Sequence, residues 1–93
     1  MTWIYEEGRI YCNNDKKELL AEVTYEYIGE NEVNINHTYV NPVLRGQGVA
    51  GEMLELLAEY LREQGLRARA TCSYANNWLT KNKKSYSDII IES

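Results

Sequence analysis

The chain has 93 residues, 44% of them apolar and 26% charged, which suits one small folded domain and argues against disorder. Its net charge of -4 and pI near 5.0 argue against nucleic acid and anionic membranes as partners, because both attract basic surfaces. We therefore expect a single domain over residues 1–93, present as a monomer or weak dimer.

The amino terminus, MTWIYEEGRIYC, lacks the basic segment and apolar run of a secretory signal. No run approaches the roughly 20 apolar residues of a membrane-spanning helix. These features favour a cytoplasmic protein. Cys12 and Cys72 match no metal-binding spacing, so we expect two reduced thiols and no bound metal.

Three strands are predicted before residue 42. Residues 9–14 indicate the first, and the alternation over residues 19–27 indicates a half-buried second strand with the odd-numbered side chains on one face. A hairpin loop at residues 29–32 leads to a third strand, which the sequence Asn41-Pro42 ends. Alternation predicts one face of the third strand to hold Val33, Ile35, His37 and Tyr39.

A long amphipathic helix is predicted from Val49 to a stop at Gly65, which suits a C-terminal cap. A fourth strand over residues 66–73 follows, and a right-handed crossover would make it parallel to the third. Ser73 is expected to cap a shorter helix over residues 74–82. The tail, residues 86–93, fits either a strand or a short helix. The fold class is thus α+β, a mostly antiparallel sheet with a β-α-β crossover and a second short helix.

The loop between the third strand and the long helix carries three closely spaced glycines. Gly46, Gly48 and Gly51 leave the backbone bare where the helix begins, so its first amides and the positive end of its dipole can approach an anion. A Walker A loop is excluded because its lysine is absent, and a dinucleotide fingerprint does not fit an antiparallel strand in so short a chain. A tight turn without a ligand is the alternative that the glycines alone leave open.

Arg45 to Ala50 match the pattern RxxGxA directly after a strand, and TCSYA follows the next strand. This arrangement resembles motif A of the GCN5-related N-acetyltransferases and, more narrowly, short proteins related to N-acetyltransferase domain-containing protein 1. The resemblance spans roughly residues 19–79 and implies a compact domain that binds acetyl-CoA. It places the pyrophosphate on the loop amides and the pantetheine arm along the preceding strand end. The implied cofactor-binding residues are Tyr39, Val40, Arg45, Gly46, Gln47, Gly48, Val49, Ala50 and Gly51.

In that family a second motif, NxxAxxxY, supplies a tyrosine that protonates the departing CoA thiolate. Here its positions hold Cys72, Ala75 and Leu79, so that acid is missing. Cys72 lies beside a predicted helix N-terminus, which lowers a thiol pKa, and is a candidate to accept the acetyl group or protonate the leaving thiolate. The alternative is a small core residue. His37 and Tyr74 are further catalytic candidates, each with ordinary packing as its alternative.

Two functions remain open. One is a small N-acetyltransferase that moves acetyl from acetyl-CoA to an amine of a protein or small molecule, directly or through Cys72. The other is a module that binds acetyl-CoA or CoA without turnover. The resemblance implies that full-size members wall the acceptor site with helices before the glycine loop, and only strands precede it here, so we expect an open acceptor side. Lys81, Lys83 and Lys84 would either contact the 3'-phosphate of the cofactor or form a solvated helix end.

Overall fold

The computed structural model, which describes residues 1–91, contains one five-stranded sheet. Its strands follow chain order, as β1 (Ile4–Glu6), β2 (Arg9–Asn13), β3 (Leu19–Gly29), β4 (Glu32–Val40) and β5 (Arg67–Ala70). Pairing is antiparallel from β1 to β4 and parallel between β4 and β5. The predicted α+β class, with a mostly antiparallel sheet and one crossover, is confirmed.

The crossover helix α1 (Val49–Gln64) lies between two glycines in the left-handed region, Gly48 with φ 74° and Gly65 with φ 70°. The Gly65 amide donates to the carbonyl of Arg62 (3.2 Å) and the Leu66 amide to that of Leu61 (2.9 Å). This pair of bonds is the helix stop expected from the sequence. Within residues 1–91, no helix is long and apolar enough to cross a membrane.

The chain after β5 is helical in short pieces. It forms α2 (Ser73–Lys81), α3 (Lys83–Tyr86) and a 3₁₀ turn (Ser87–Ile89), after which Ile90 makes a single parallel bridge to Ala68. The tail was predicted as either a strand or a short helix, and it combines a helical turn with one bridge to the sheet. Residues 92–93 of this predicted tail lie outside the described part of the chain. The residue at the N-cap position of α2 is Cys72, not Ser73 as predicted.

The core forms where α1 packs on one face of β3 and β4. Its fully buried side chains come from both layers and include Ile10, Val23, Val33, Ile35, Met53, Leu54, Leu57 and Leu61. The opposite face of the sheet is polar and is exposed at Glu26, Asn36 and His37. This arrangement leaves one side of the sheet accessible near the end of β4.

Strand β1 was not predicted, because all three of its residues are exposed and give no alternation of buried and exposed positions. It pairs with β2 across a tight turn at residues 7 and 8, where Gly8 has φ 79°. The pairing of β2 with β3 is irregular near its end, where Asn13 pairs with Leu19. As a result Leu20 packs against the core, whereas the predicted alternation placed Leu19 on that face.

A β-bulge interrupts the pairing of β3 with β4. Tyr25 pairs with Ile35, whereas the preceding residue, Thr24, pairs with His37, so Asn36 is the extra residue. The Asn36 side chain bridges back to β3, with its Oδ1 accepting from Thr24 Oγ1 (2.5 Å). One extra residue exchanges the two faces of a strand for every position beyond it.

The predicted face of β4 is therefore wrong beyond the bulge. Thr38 pairs with Val23 and Val40 pairs with Ala21, and both partners are fully buried on the core face. Thr38 and Val40 thus continue the face that begins with Val33 and Ile35. The two residues turned to the opposite face are His37 and Tyr39.

Candidate functional site

A cleft of about 450 Å³ opens where β4 continues past the end of β5. The ladder between these strands ends at the pair Ile35 and Ala70, and the amides of Thr71 and Cys72 both donate to the Ile35 carbonyl (3.1 and 3.2 Å). The chain then turns into α2, which leaves the last residues of β4 without a β5 neighbour. The cleft is lined by Thr38, Tyr39, Val40, Leu44, Arg45, Gly46, Gly48, Val49, Ala50 and Tyr74.

The turn from β4 into the glycine loop is held by Asn41. Its amide donates to the Leu20 carbonyl (2.8 Å), and its Oδ1 accepts from the Val43 amide (3.0 Å). This cap starts the 3₁₀ turn Pro42–Leu44, in which proline sits where no amide donor is needed. The loop therefore leaves the strand end in a defined direction, towards the start of α1.

Two glycines of the loop have backbone conformations that L-residues rarely adopt. Gly46 has φ 81° and Gly48 has φ 74°, and a Cβ added at either would meet no atom within 4 Å. Their positive φ values favour glycine whether or not a ligand binds. Gly48 directly precedes α1, so the bare backbone lies beside the first amides of the helix, which have no partners within it and mark the positive end of its dipole. Such a cradle fits a phosphate group.

Two further residues proposed from the sequence, Gln47 in the loop and Gly51 in α1, lie differently. A Cβ at Gly51 would lie 3.9 Å from Trp78 Nε1, in ordinary contact, so this glycine lies where α1 and α2 pack together. The exposed Gln47 donates from Nε2 to the Val43 carbonyl (3.3 Å). Neither belongs to the lining of the cleft, whereas Arg45 does and brings an exposed cation to it.

Cys72 lies at the N-cap position of α2, half-buried, with its Sγ 3.4 Å from Thr38 Oγ1. Burial acts to raise the pKa of the Cys72 thiol, but the hydrogen bond with Thr38 and the amides of Ala75 and Tyr74 outweigh it, so this pKa is lowered. Cys12 provides the contrast, because it is fully buried in the core and burial raises its pKa. Both thiols are free, and of the two only Cys72 has a lowered pKa.

The remaining catalytic candidates, His37 and Tyr74, lie in different surroundings. His37 is exposed on the polar sheet face, with Nε2 3.6 Å from Glu22 Oε1, while Glu22 also accepts from Arg9 Nε (2.6 Å). Tyr74 lines the cleft and keeps 47% of its surface exposed. The three lysines at positions 81, 83 and 84 are not among the residues that line it. Within residues 1–91, no three His, Cys, Asp or Glu side chains are grouped to hold a metal ion.

Two residues of the cleft were missed from the sequence. Leu44, in the 3₁₀ turn, packs against the core and lines the cleft. Thr38 reaches the cleft because of the bulge at Asn36, which breaks the alternation on which the prediction rested. The local sequence carries no signal for the bulge, because Asn36 stands at a position where the alternation already expects a polar residue.

A family model described as GCN5-related N-acetyl-transferase matches residues 9–89. The chain belongs to this family. Protein NATD1 of Bos taurus is 34% identical over 62 residues, which are 67% of this chain and 55% of that protein. The chain thus spans little more than half the length of such relatives. GCN5-related N-acetyltransferases use acetyl-CoA as co-substrate, together with an acceptor.

Solved structures agree with this membership. The NMR structure of a GCN5-like protein from Staphylococcus aureus superposes with a TM-score of 0.82 at 37% identity, covering 99% of this chain and 89% of that one. A Clostridium acetobutylicum protein solved with acetyl-CoA has a TM-score of 0.57 at 15% identity, covering 78% of this chain and 54% of that one. The second likeness concerns the fold alone.

Proposed function

We propose that this protein binds acetyl-CoA in the cleft, with the pyrophosphate on the first amides of α1 and the pantetheine arm along the free edge of β4. The observation that carries the proposal is the pair of left-handed glycines, Gly46 and Gly48, with open space in front of them at the positive end of a 16-residue helix. Arg45 adds a cation on the same loop. Membership of the family supports acetyl-CoA as the ligand of this cradle.

We further propose that the acetyl group passes to an amine through Cys72. The thiolate attacks the acetyl carbonyl carbon, a new carbon–sulfur bond forms, and the bond to the CoA sulfur breaks. CoA leaves as a thiolate and takes a proton. The acceptor amine then attacks acetyl-Cys72, an amide bond forms, the Cys72 thiolate is released and the amine nitrogen loses its proton. The lowered pKa of Cys72 and its place beside the cleft support this route.

Two side chains are proposed for the proton transfers. Tyr74 lies in the first turn of α2 and lines the cleft, so its hydroxyl is the candidate to protonate the CoA thiolate. His37 faces the polar side of the sheet beside Glu22, so it is the candidate base for an amine that approaches from that side. A lower rate of acetyl transfer in His37→Gln, with unchanged acetylation of Cys72, would support this assignment.

Binding of acetyl-CoA without turnover is the second candidate function. The exposed polar face around Asn36 and His37 favours it, since an enclosed acceptor site would cover these side chains. The same openness also fits a large acceptor, such as a lysine or amino terminus of another protein. The two functions differ in whether an acetyl group ever leaves the cofactor.

Intact-protein mass spectrometry after incubation with acetyl-CoA tests the proposal, alongside calorimetric titration with CoA. We expect saturable binding and one added acetyl group, which is lost in Cys72→Ser and retained in Cys12→Ser, the matched control at the buried cysteine. Binding without the adduct would support direct transfer or the binding module. Absence of CoA binding would overturn the proposed function as a whole.

A further inference from the structure

Thr38 connects two parts of the molecule that are distant in sequence. It lies on β4, and its Oγ1 is 3.4 Å from the sulfur of Cys72 at the start of α2. It also lines the cleft. Thr38 therefore links the lining of the cleft to Cys72, the thiol whose pKa is lowered.

The surroundings of Thr38 do not by themselves call for a hydroxyl. The same strand face carries Val33, Ile35 and Val40, and its pairing partner on β3 is the fully buried Val23. Thr38 is half-buried, and valine, which has nearly the same shape, would fit the same position. What a valine there would lack is the hydroxyl bond to the sulfur of Cys72.

The chemistry of this bond depends on the charge of Cys72. With a neutral thiol, either the hydroxyl or the thiol can donate. Once the thiol ionises, only the hydroxyl can donate, and the bond becomes charge-assisted and stronger. The bond therefore favours the thiolate over the thiol. The amides of Tyr74 and Ala75 in α2 and of Thr38 in β4 also face this sulfur, and the Tyr74 phenol is a titratable side chain on the same helical turn.

We propose that Thr38 is a positioning residue for Cys72, whose hydroxyl donates a hydrogen bond to the sulfur and holds the thiolate at the edge of the cleft. The bulge at Asn36 is what turns this hydroxyl towards Cys72, since regular alternation would place Thr38 on the opposite face. The role of Thr38 rests on the proposed role of Cys72 as the nucleophile.

The test is the pH dependence of Cys72 alkylation by iodoacetamide in the free protein. Tryptic peptides separate the two thiols, since Cys72 lies in residues 70–81 and Cys12 in residues 10–16. Thr38→Val removes the hydroxyl at constant shape, Thr38→Ser keeps it, and Thr80→Val is the matched control at an exposed threonine of α2. Circular dichroism checks the fold, and Thr38→Ala replaces the valine variant if valine prevents folding.

Loss of a hydrogen bond to a charged group should raise the thiol pKa by about one unit. Because a more basic thiolate is also a better nucleophile, alkylation should slow about threefold below the pKa and speed up about threefold on the alkaline plateau. These two parts of the pH–rate profile are its acidic and alkaline limbs. If a substitution changed only the access of iodoacetamide to the sulfur, the rate would change in the same direction on both limbs. Thr38→Ser and Thr80→Val should keep the wild-type profile.

An unchanged pKa in the valine and alanine variants, or limbs that move together, would overturn the role of Thr38. The assay requires no acetyl-CoA, so its outcome is independent of turnover. Crossing limbs together with no acetyl adduct in the wild type would overturn the proposed acetyl transfer through Cys72 and leave the bond between Thr38 and the thiolate established.

Discussion

Replacement of Gly48 by alanine is expected to weaken CoA binding, whereas the same replacement of Gly65 is not. These glycines flank α1 with nearly equal φ values, 74° and 70°, and an added Cβ meets no atom within 4 Å at either position. Both variants therefore force an L-residue into the left-handed region, which costs about 1–2 kcal/mol, without a steric clash. The difference between the sites is that only Gly48 lines the cleft.

Urea unfolding should show a similar loss of stability in both variants, which for a domain of this size corresponds to a Tm lower by about 4–8 °C per kcal/mol. Calorimetric titration with CoA should show a Kd raised about tenfold or more in Gly48→Ala, equivalent to about 1.4 kcal/mol of binding free energy. The new methyl group would occupy the space in front of the first amides of α1, which keeps a phosphate away from them.

The paired design separates binding from stability. An equal rise of Kd in both variants would mean that general destabilisation, not the cradle, controls affinity. An unchanged Kd in Gly48→Ala, with the expected loss of stability, would mean that CoA does not lie against Gly48. Either outcome would refute the placement of the pyrophosphate at the start of α1.

Three further substitutions test the fold. Gly51→Ala should raise the free energy of unfolding in urea by about 0.5–1 kcal/mol, because its Cβ reaches only ordinary contact with Trp78 within a helix, and a loss of stability would contradict that contact. Leu57→Ala should lower it by about 2–5 kcal/mol, since Leu57 is fully buried, and a smaller loss would mean a looser core. Asp88→Asn removes an ion pair with Arg62 (2.7 Å), which lowers the pKa of Asp88. The stabilisation from this ion pair is therefore fully present when the pH is above the ordinary pKa of 3.8, and it is lost as the pH falls through the lowered pKa of the folded protein. The Tm values of wild type and Asp88→Asn should therefore converge in acid, and a constant difference would contradict this origin.

The elements that could be predicted are those whose signals are local. Helix α1 has a repeating apolar face and a terminal glycine, and its observed range, Val49–Gln64, starts and ends where these signals place it. Strand β1 has no comparable signal, because its three residues are exposed and its pairing with β2 is what makes it a strand. The strand exists because it pairs with β2, and the sequence of residues 4–6 does not reveal that pairing.

The residues of the cleft also differ in whether a local sequence signal predicts them. The loop from Arg45 to Ala50 contributes five residues to the cleft, and it was singled out by its glycines together with the resemblance of its RxxGxA pattern to motif A. Thr38 was not, because the alternation of β4 continues without interruption through His37 in the sequence. The bulge at Asn36 results from pairing with β3, where Tyr25 and Thr24 take partners two residues apart. Register between strands is a tertiary property, so the face of Thr38 could be known only from the structure.

The bulge and the short β5 together explain why the cleft lies where it does. Up to Ile35, β4 is paired on both edges, and its side chains Val33 and Ile35 belong to the core. Beyond Asn36 the strand keeps β3 but has no β5 neighbour, and the extra residue turns Thr38 and Val40 towards the side on which α1 begins. An edge free to bond an extended ligand, a hydroxyl beside Cys72 and the amide cradle of the helix thus face one space. A β4 without the extra residue would keep the free edge but present His37 and Tyr39 on that face, and the sulfur of Cys72 would lose its hydroxyl partner.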